Sequence, residues 1–184
     1  RACHIQDPAW TEFLVEAVTE YIVNDVEPRG YVNAANARWL VSRTAENGAF
    51  ATRSEHELLV NVLDKARWLP ESLAGLALRE VHRAIVDGTG PLRVGVGIEA
   101  GRITGTDVHL IRRILFAFGG GRAKAISRTE ADVLLDIQAA LAAPGVSPAW
   151  SDLLVKCVAN VALQLSGYAV PRREEALMRA TGLD

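Results

Sequence analysis

Twelve residues near the start of the chain return near its end. Asp7-Pro8-Ala9-Trp10-Thr11-Glu12-Phe13-Leu14-Val15-Glu16-Ala17-Val18 aligns with Ser147-Pro148-Ala149-Trp150-Ser151-Asp152-Leu153-Leu154-Val155-Lys156-Cys157-Val158, 140 residues further on, and six of the twelve pairs are identical. In each copy a capping residue precedes a proline, and a tryptophan follows two positions later. Proline suits the first position of a helix because the amide hydrogen it lacks would be orphaned there anyway. The chain thus uses one helix start twice, each time with a tryptophan placed to anchor the first turn in a core.

Between the copies, apolar residues keep helical spacing almost throughout, and no stretch alternates as a strand does. The pattern predicts an all-α protein of about eight helices. The first covers 8–24, with Trp10, Phe13, Leu14, Ala17, Val18 and Tyr21 as its buried stripe. The second covers 34–45 with Trp39 and Leu40 inward, and the third runs from a capping box, Ser54 to Glu57, to about Trp68. The fourth spans 71–87, after Pro70 and before Gly88. The fifth starts near Thr104 and ends at Phe118, and the sixth starts at the box Ser127 to Glu130 and ends before Pro144. The seventh runs from Ser147 to about Ser166, and the eighth follows Pro171. Five glycines and Pro91 within 88–101 mark a linker. The expected organisation is an N-terminal lobe at 1–88, a Gly-rich linker at 89–101 and a C-terminal lobe at 102–184, related by the repeat. A full helix precedes the second copy, whereas six residues precede the first, so a matching helix is expected upstream of Arg1.

Charge narrows the classes of partner. A net charge of -2 gives no bulk attraction to nucleic acid or to a membrane surface. The longest uncharged stretches, near 137–151 and 157–171, include polar residues and fall short of the ~18 apolar residues of a membrane span. Of the two cysteines, Cys3 and Cys157, the second lies in an apolar run and reads as a small core residue. Two unpatterned cysteines make no disulfide framework, which points to a reducing, cytoplasmic setting.

The helix starts share a second pattern. Ile103-Thr104-x-x-Asp107 and Ile126-Ser127-x-x-Glu130 each place an apolar residue, a cap and then an acid. One reading is a repeated capping box. The other is the last third of an EF-hand loop, where an apolar residue at position 8 precedes the helix start and a carboxylate stands at position 12. In 119–130 the ligand positions hold Gly119, Gly121 and Ala123, which offer no side-chain oxygen. Segment 96–107 keeps Gly101, Ile103 and Asp107 but begins with Val96. Segment 25–36 is better supplied: Asp25, Glu27, Gly30, Val32 and Asn33 fall at positions 1, 3, 6, 8 and 9, with Arg29 at 5 and Asn36 at 12. If any loop holds a metal ion it is this one, through Asp25, Glu27, Asn33 and Asn36; the alternative is a solvated loop.

Several stretches carry a family resemblance: 116–120 (FAFGG), 126–132 (ISRTEAD) and 148–150 (PAW) in the second half, 58–66 (LLVNVLDKA) and 78–85 (LREVHRAI) in the first. They resemble an uncharacterised bacterial all-helical family, similar at fold level to EF-hand-like and tellurite-resistance TerB-like domains. The resemblance implies helix–loop–helix units with degenerate EF-hand-like loops. TerB-like proteins are associated with metal or membrane stress and acidic ion sites. No activity follows from it.

The remaining motifs have simpler explanations. Gly95 to Ala100 matches G-x-G-x-x-A, but no strand precedes it, so it reads as linker. Arg112, Arg113, Arg122, Lys124 and Arg128 form a run without acids, which reads as a solvated face balanced by Glu130, Asp132 and Asp136 rather than a nucleic-acid contact. His4, His56, His82 and His109 lack paired metal spacing and read as helix-surface residues. No catalytic residue and no cofactor is assigned. The leading expectation is a non-enzymatic helical scaffold or protein-interaction module, with a protein partner or a homodimer formed through exposed helix faces. The alternative is a Ca²⁺-binding regulator that uses loop 25–36.

Overall fold

The computed structural model describes residues 7–45, 49–117, 126–141 and 147–166. Among them are seven α-helices and no strand, and none of these helices is long and apolar enough to cross a membrane. The eighth expected helix, after Pro171, lies outside the described residues.

The first helix, α1 (Pro8–Glu20), starts as its sequence dictates: the Asp7 carboxylate accepts the Ala9 amide at 2.8 Å, and Pro8 opens the first turn. Its last turn widens into a π-helical turn, Tyr21–Asp25. Helix α2 (Ala34–Thr44) starts at Asn33, whose Oδ1 accepts the amides of Ala35 and Asn36, both at 2.9 Å. Helix α3 (Arg53–Lys65) is capped two residues earlier than expected. Thr52 is the N-cap, with Glu55 reaching back to the Thr52 amide at 2.8 Å; the box is not Ser54 to Glu57. Both pairs fit the S/T-x-x-E spacing, so spacing alone does not choose between them.

Helix α3 also stops at Lys65, short of Trp68. Residues 66–68 turn extended and join the loop before α2: Gly30 O accepts the Arg67 amide at 2.8 Å and the Trp68 amide at 3.1 Å, and Val32 donates to Trp68 O at 2.9 Å. Gly30 sits at φ +84°, with the stem of Arg67 about where a Cβ would project, so this pairing needs glycine there.

Helix α4 (Glu71–Val86) ends at Asp87, and Gly88 at φ +66° takes the left-handed position just past the end. Helices α5 (Gly105–Leu115) and α6 (Arg128–Ala140) both start at the expected boxes, Thr104 with Asp107 and Ser127 with Glu130. Helix α7 (Pro148–Leu165) has Pro148 at its first position, but the Ser147 side chain makes no capping bond.

Helices α3 and α4 form the centre. Six residues of α3 and eight of α4 are buried, among them Leu59, Val62, Leu63, Leu78, Val81 and Ile85. A fully buried aliphatic side chain of this kind stabilises by about 1.5–3 kcal/mol. Helices α1 and α2 lie on α3, α5 lies on both α3 and α4, α6 lies on α4, and α7 covers α5 and α6. The core is continuous across 88–101, since residues on both sides belong to one cluster. The connection itself is anchored: Arg93 is buried, donates to Ala84 O at 2.8 Å, and grips Asp107 with two nitrogens at 2.9 Å each.

One expectation is reversed outright. The stripe Trp10, Phe13, Leu14 and Tyr21, read as the buried face of α1, is solvent-facing, and Ala17 beside it is exposed too. The helix instead buries Val15 and Thr19, continued by Ile22 and Val23 in the π turn. The physical reason is α3: Asn61 donates to Thr19 Oγ1 at 3.2 Å, and Lys65 binds Glu16 at 2.6 Å, so α3 claims the side of α1 with smaller residues.

Candidate functional site

Three regions compete as candidate sites. The first is loop 25–36. Asp25, Glu27 and Asn33 are exposed and Asn36 is half-buried. Glu27 accepts the Arg29 amide at 3.3 Å and lies 3.5 Å from the Arg29 guanidinium. Asn33 Oδ1 is taken up by the start of α2, and the Asn36 Nδ2 is buried with no hydrogen-bond partner. Among the described residues, no group of three or more His, Cys, Asp or Glu side chains is arranged to hold a metal ion. Of the other EF-hand-like segments, most of 119–130 lies outside the described residues. In 96–107 the closing Asp107 serves the α5 cap and Arg93.

The second is a cleft of about 500 Å³ between α3, α5 and the 92–98 segment. Its walls include Arg53, Arg93, Arg113, His109, Glu57 and Asp107. The cations are already engaged: Arg93 with Asp107, Arg113 with Glu57 at 2.7 Å and with Asp64, and Arg53 with Leu92 O at 3.3 Å. Arg112 lies 3.8 Å from Asp152, so the described part of the basic run is largely balanced by acids; Arg122 and Lys124 fall outside the described residues. His56, expected on the surface, is buried at the floor of this region. Its Nε2 lies 3.1 Å from Ala77 O, and Phe50 meets its ring edge-on. Burial pushes the His56 pKa down, which keeps the ring neutral, and the contact with Ala77 opposes this only in part.

The third is the outer face of α1 with the groove beside it. Trp10 is 58% exposed and Phe13 61%, their rings 5.7 Å apart. Next to them a groove of about 240 Å³ runs between α1, α2 and the start of α3, lined by Leu14, Val18, Trp39, Leu40 and Leu58 with Arg43 at the side. Trp39, expected inward, is 42% exposed, and Trp68 is 41% exposed. Trp10, Phe13 and Leu14 on α1 and Tyr21 at the start of the π turn thus leave large apolar side chains exposed along one side.

The second copy of the motif shows what such a face does when covered. Trp150 is 0% exposed, and its indole N–H donates to Gln138 on α6 at 2.7 Å. Leu153 and Cys157 are buried beside it. Burial pushes the Cys157 thiol up to about 11, with Glu130 adding to the rise. Sequence reasoning found the motif but not this difference in use. Compared with protein-family models, with curated proteins and with solved structures, the chain has no significant match.

Proposed function

We propose that this chain is a non-catalytic helical interaction module whose contact surface is the aromatic face of α1 with the adjoining α1–α2 groove. One observation carries the reading. The same motif places a tryptophan against α6 in one copy and leaves the matching tryptophan, with Phe13 and Tyr21, in solvent in the other. Leaving so much aromatic area in water forfeits burial that the fold has a proven way to use. The non-catalytic part of the reading is supported by the largest of the three regions, where the charged groups are spent on one another.

Photo-crosslinking from position 13 tests this. A benzophenone amino acid replaces Phe13 in the full chain within the producing cell, and the adduct is identified by mass spectrometry. A single identified protein adduct, lost when Trp10→Ala is added, is the expected result. A normally folded protein that yields no protein adduct removes the reading.

A further inference from the structure

A further concavity lies on the other side of α2 from the α1–α2 groove, between α2 and the first turns of α4. It is a trough of about 470 Å³. Tyr31 and Trp68 form a parallel bridge, and α2 and α4 each begin three residues beyond it, so both helices leave from one point. Ala37, Leu73 and Leu76 are buried in the floor of the trough, and its lining includes no aromatic ring. The charged residues of its wall are Arg38 and Arg79, both exposed, and no acid stands among them. Arg38 donates to the Ala34 carbonyl of its own helix at 3.2 Å, and neither arginine has an ion-pair partner among the described residues. Glu80, next to Arg79, is buried and bound to Arg83 at 2.9 Å. Helix α2 holds no Asp or Glu, and Glu71, in the first turn of α4, is not part of the wall. The cleft beside α5 is the opposite case, for there Arg93 and Arg113 are bound to acids.

We infer that this trough binds a single-chain carboxylate of medium length, with its apolar chain along Ala37, Leu73 and Leu76 and its carboxylate held by Arg38 and Arg79. Charge selects the head group. A guanidinium with no acid beside it matches a carboxylate in sign and in planar geometry. The floor selects the tail, because aliphatic side chains offer a flexible hydrocarbon chain a dry surface and no polar group to satisfy. Size selects a small molecule over a protein. The volume falls within the roughly 300–1,000 Å³ of small-molecule sites. The stretch of α2 in the wall, from Ala34 to Ser42, is only about 12 Å long. A trough of that length cannot by itself supply the about 800 Å² per partner of a standard protein interface. The site is separate from the aromatic face of α1, so it adds a ligand to the protein and stands or falls apart from the interaction-module reading.

Titration of the full chain with sodium octanoate, followed by amide NMR shifts, tests the site, with 1-octanol as the uncharged probe of equal length. Octanoate should produce saturable shifts at Ala37, Arg38, Leu73 and Leu76, and 1-octanol should bind the same residues more weakly. Arg38→Gln and Arg79→Gln, both at exposed positions and both checked for unchanged thermal unfolding, should each weaken octanoate roughly two- to five-fold, the strength of an exposed ion pair. Their binding of 1-octanol should stay as in the wild type. Raised salt should weaken octanoate and spare 1-octanol. No saturable shift in the trough overturns the inference, and so do shifts that gather around Trp10 and Phe13 instead. Equal affinity for the two probes, or octanoate binding untouched in both arginine variants, shows an apolar surface without head-group recognition and overturns it too. A protein adduct from a benzophenone amino acid at Ser42, in a chain that ignores octanoate, would make the trough a protein-docking groove and replace the inference.

Discussion

Trp10 and Trp150 occupy the same place in the same motif, yet one faces solvent and the other is sealed beneath α6. Nothing within the twelve residues decides this. Both helices open with proline, both carry the tryptophan in the first turn, and both have apolar residues on two opposite sides. The difference comes from the neighbours. Helix α3 reaches α1 from the Val15 side, and α5 with α6 reaches α7 from the Trp150 side. A helix with apolar residues on two sides can be covered on either, and tertiary contacts decide which.

The largest test of this contrast is truncation of each indole. Trp150→Ala should destabilise the monomer by about 3–5 kcal/mol, because it removes a fully buried ring and leaves a cavity. Trp10→Ala should change stability by no more than ~0.5 kcal/mol, as for most exposed substitutions. Equal effects in chemical denaturation would mean that the two faces are not used differently. A smaller effect separates the two helix starts. Asp7 makes a capping bond and Ser147 makes none, so Asp7→Ala should cost about 0.5–2 kcal/mol and Ser147→Ala almost nothing. Thermal melts of the two variants, read side by side, check this.

The smallest difference appears in alkali, at Cys157, where α1 has only Ala17. The folded thiol is raised from 9.0 to about 11. Its contribution is therefore fully present below the unfolded value and drains away as pH climbs toward the folded one. Half a unit above the thiol's ordinary value the loss should be under ~1 kcal/mol. Cys157→Ala should flatten that part of the stability-versus-pH curve; an unchanged slope would place the thiol in a more open setting than the structure does.

Local chemistry was the legible part of the fold. The Asp7–Pro8 start, the boxes at Thr104 and Ser127, the start of α4 just after Pro70 and the turn at Gly88 all follow from the sequence, because each depends on residues within one helical turn of one another. Long-range choices were not legible. The cap of α3 lies at Thr52 because Glu55 reaches back to it, although Ser54 and Glu57 fit the same spacing. Helical spacing carries the third helix on to Trp68, whereas the pairing of Trp68 with residues 30–32 joins segments more than thirty positions apart. His56 reads as a surface residue from its neighbours in sequence, whereas the carbonyl beside its ring comes from Ala77 on α4. The candidate surface failed for a related reason. Large aromatic residues on one stripe normally signal a core, and here the smaller stripe of Val15 and Thr19 was taken by α3 instead.

The grip of Arg93 on Asp107 has one more consequence. Asp107 Oδ2 also accepts the Thr104 amide and hydroxyl, both at 2.8 Å, so one carboxylate serves the first turn of α5 and the Arg93 fork together. That fork in turn holds Ala84 O near the end of α4 and Arg102 O just ahead of α5. Opening either helix end abandons a buried charge, so the two ends and the stretch between them should open as one unit. In native-state hydrogen exchange, the amides of Thr104, Asp107 and Gly101, the last bonded to Ile85 O at 2.7 Å, would then trade deuterium in step, as a single latch between the two halves of the chain.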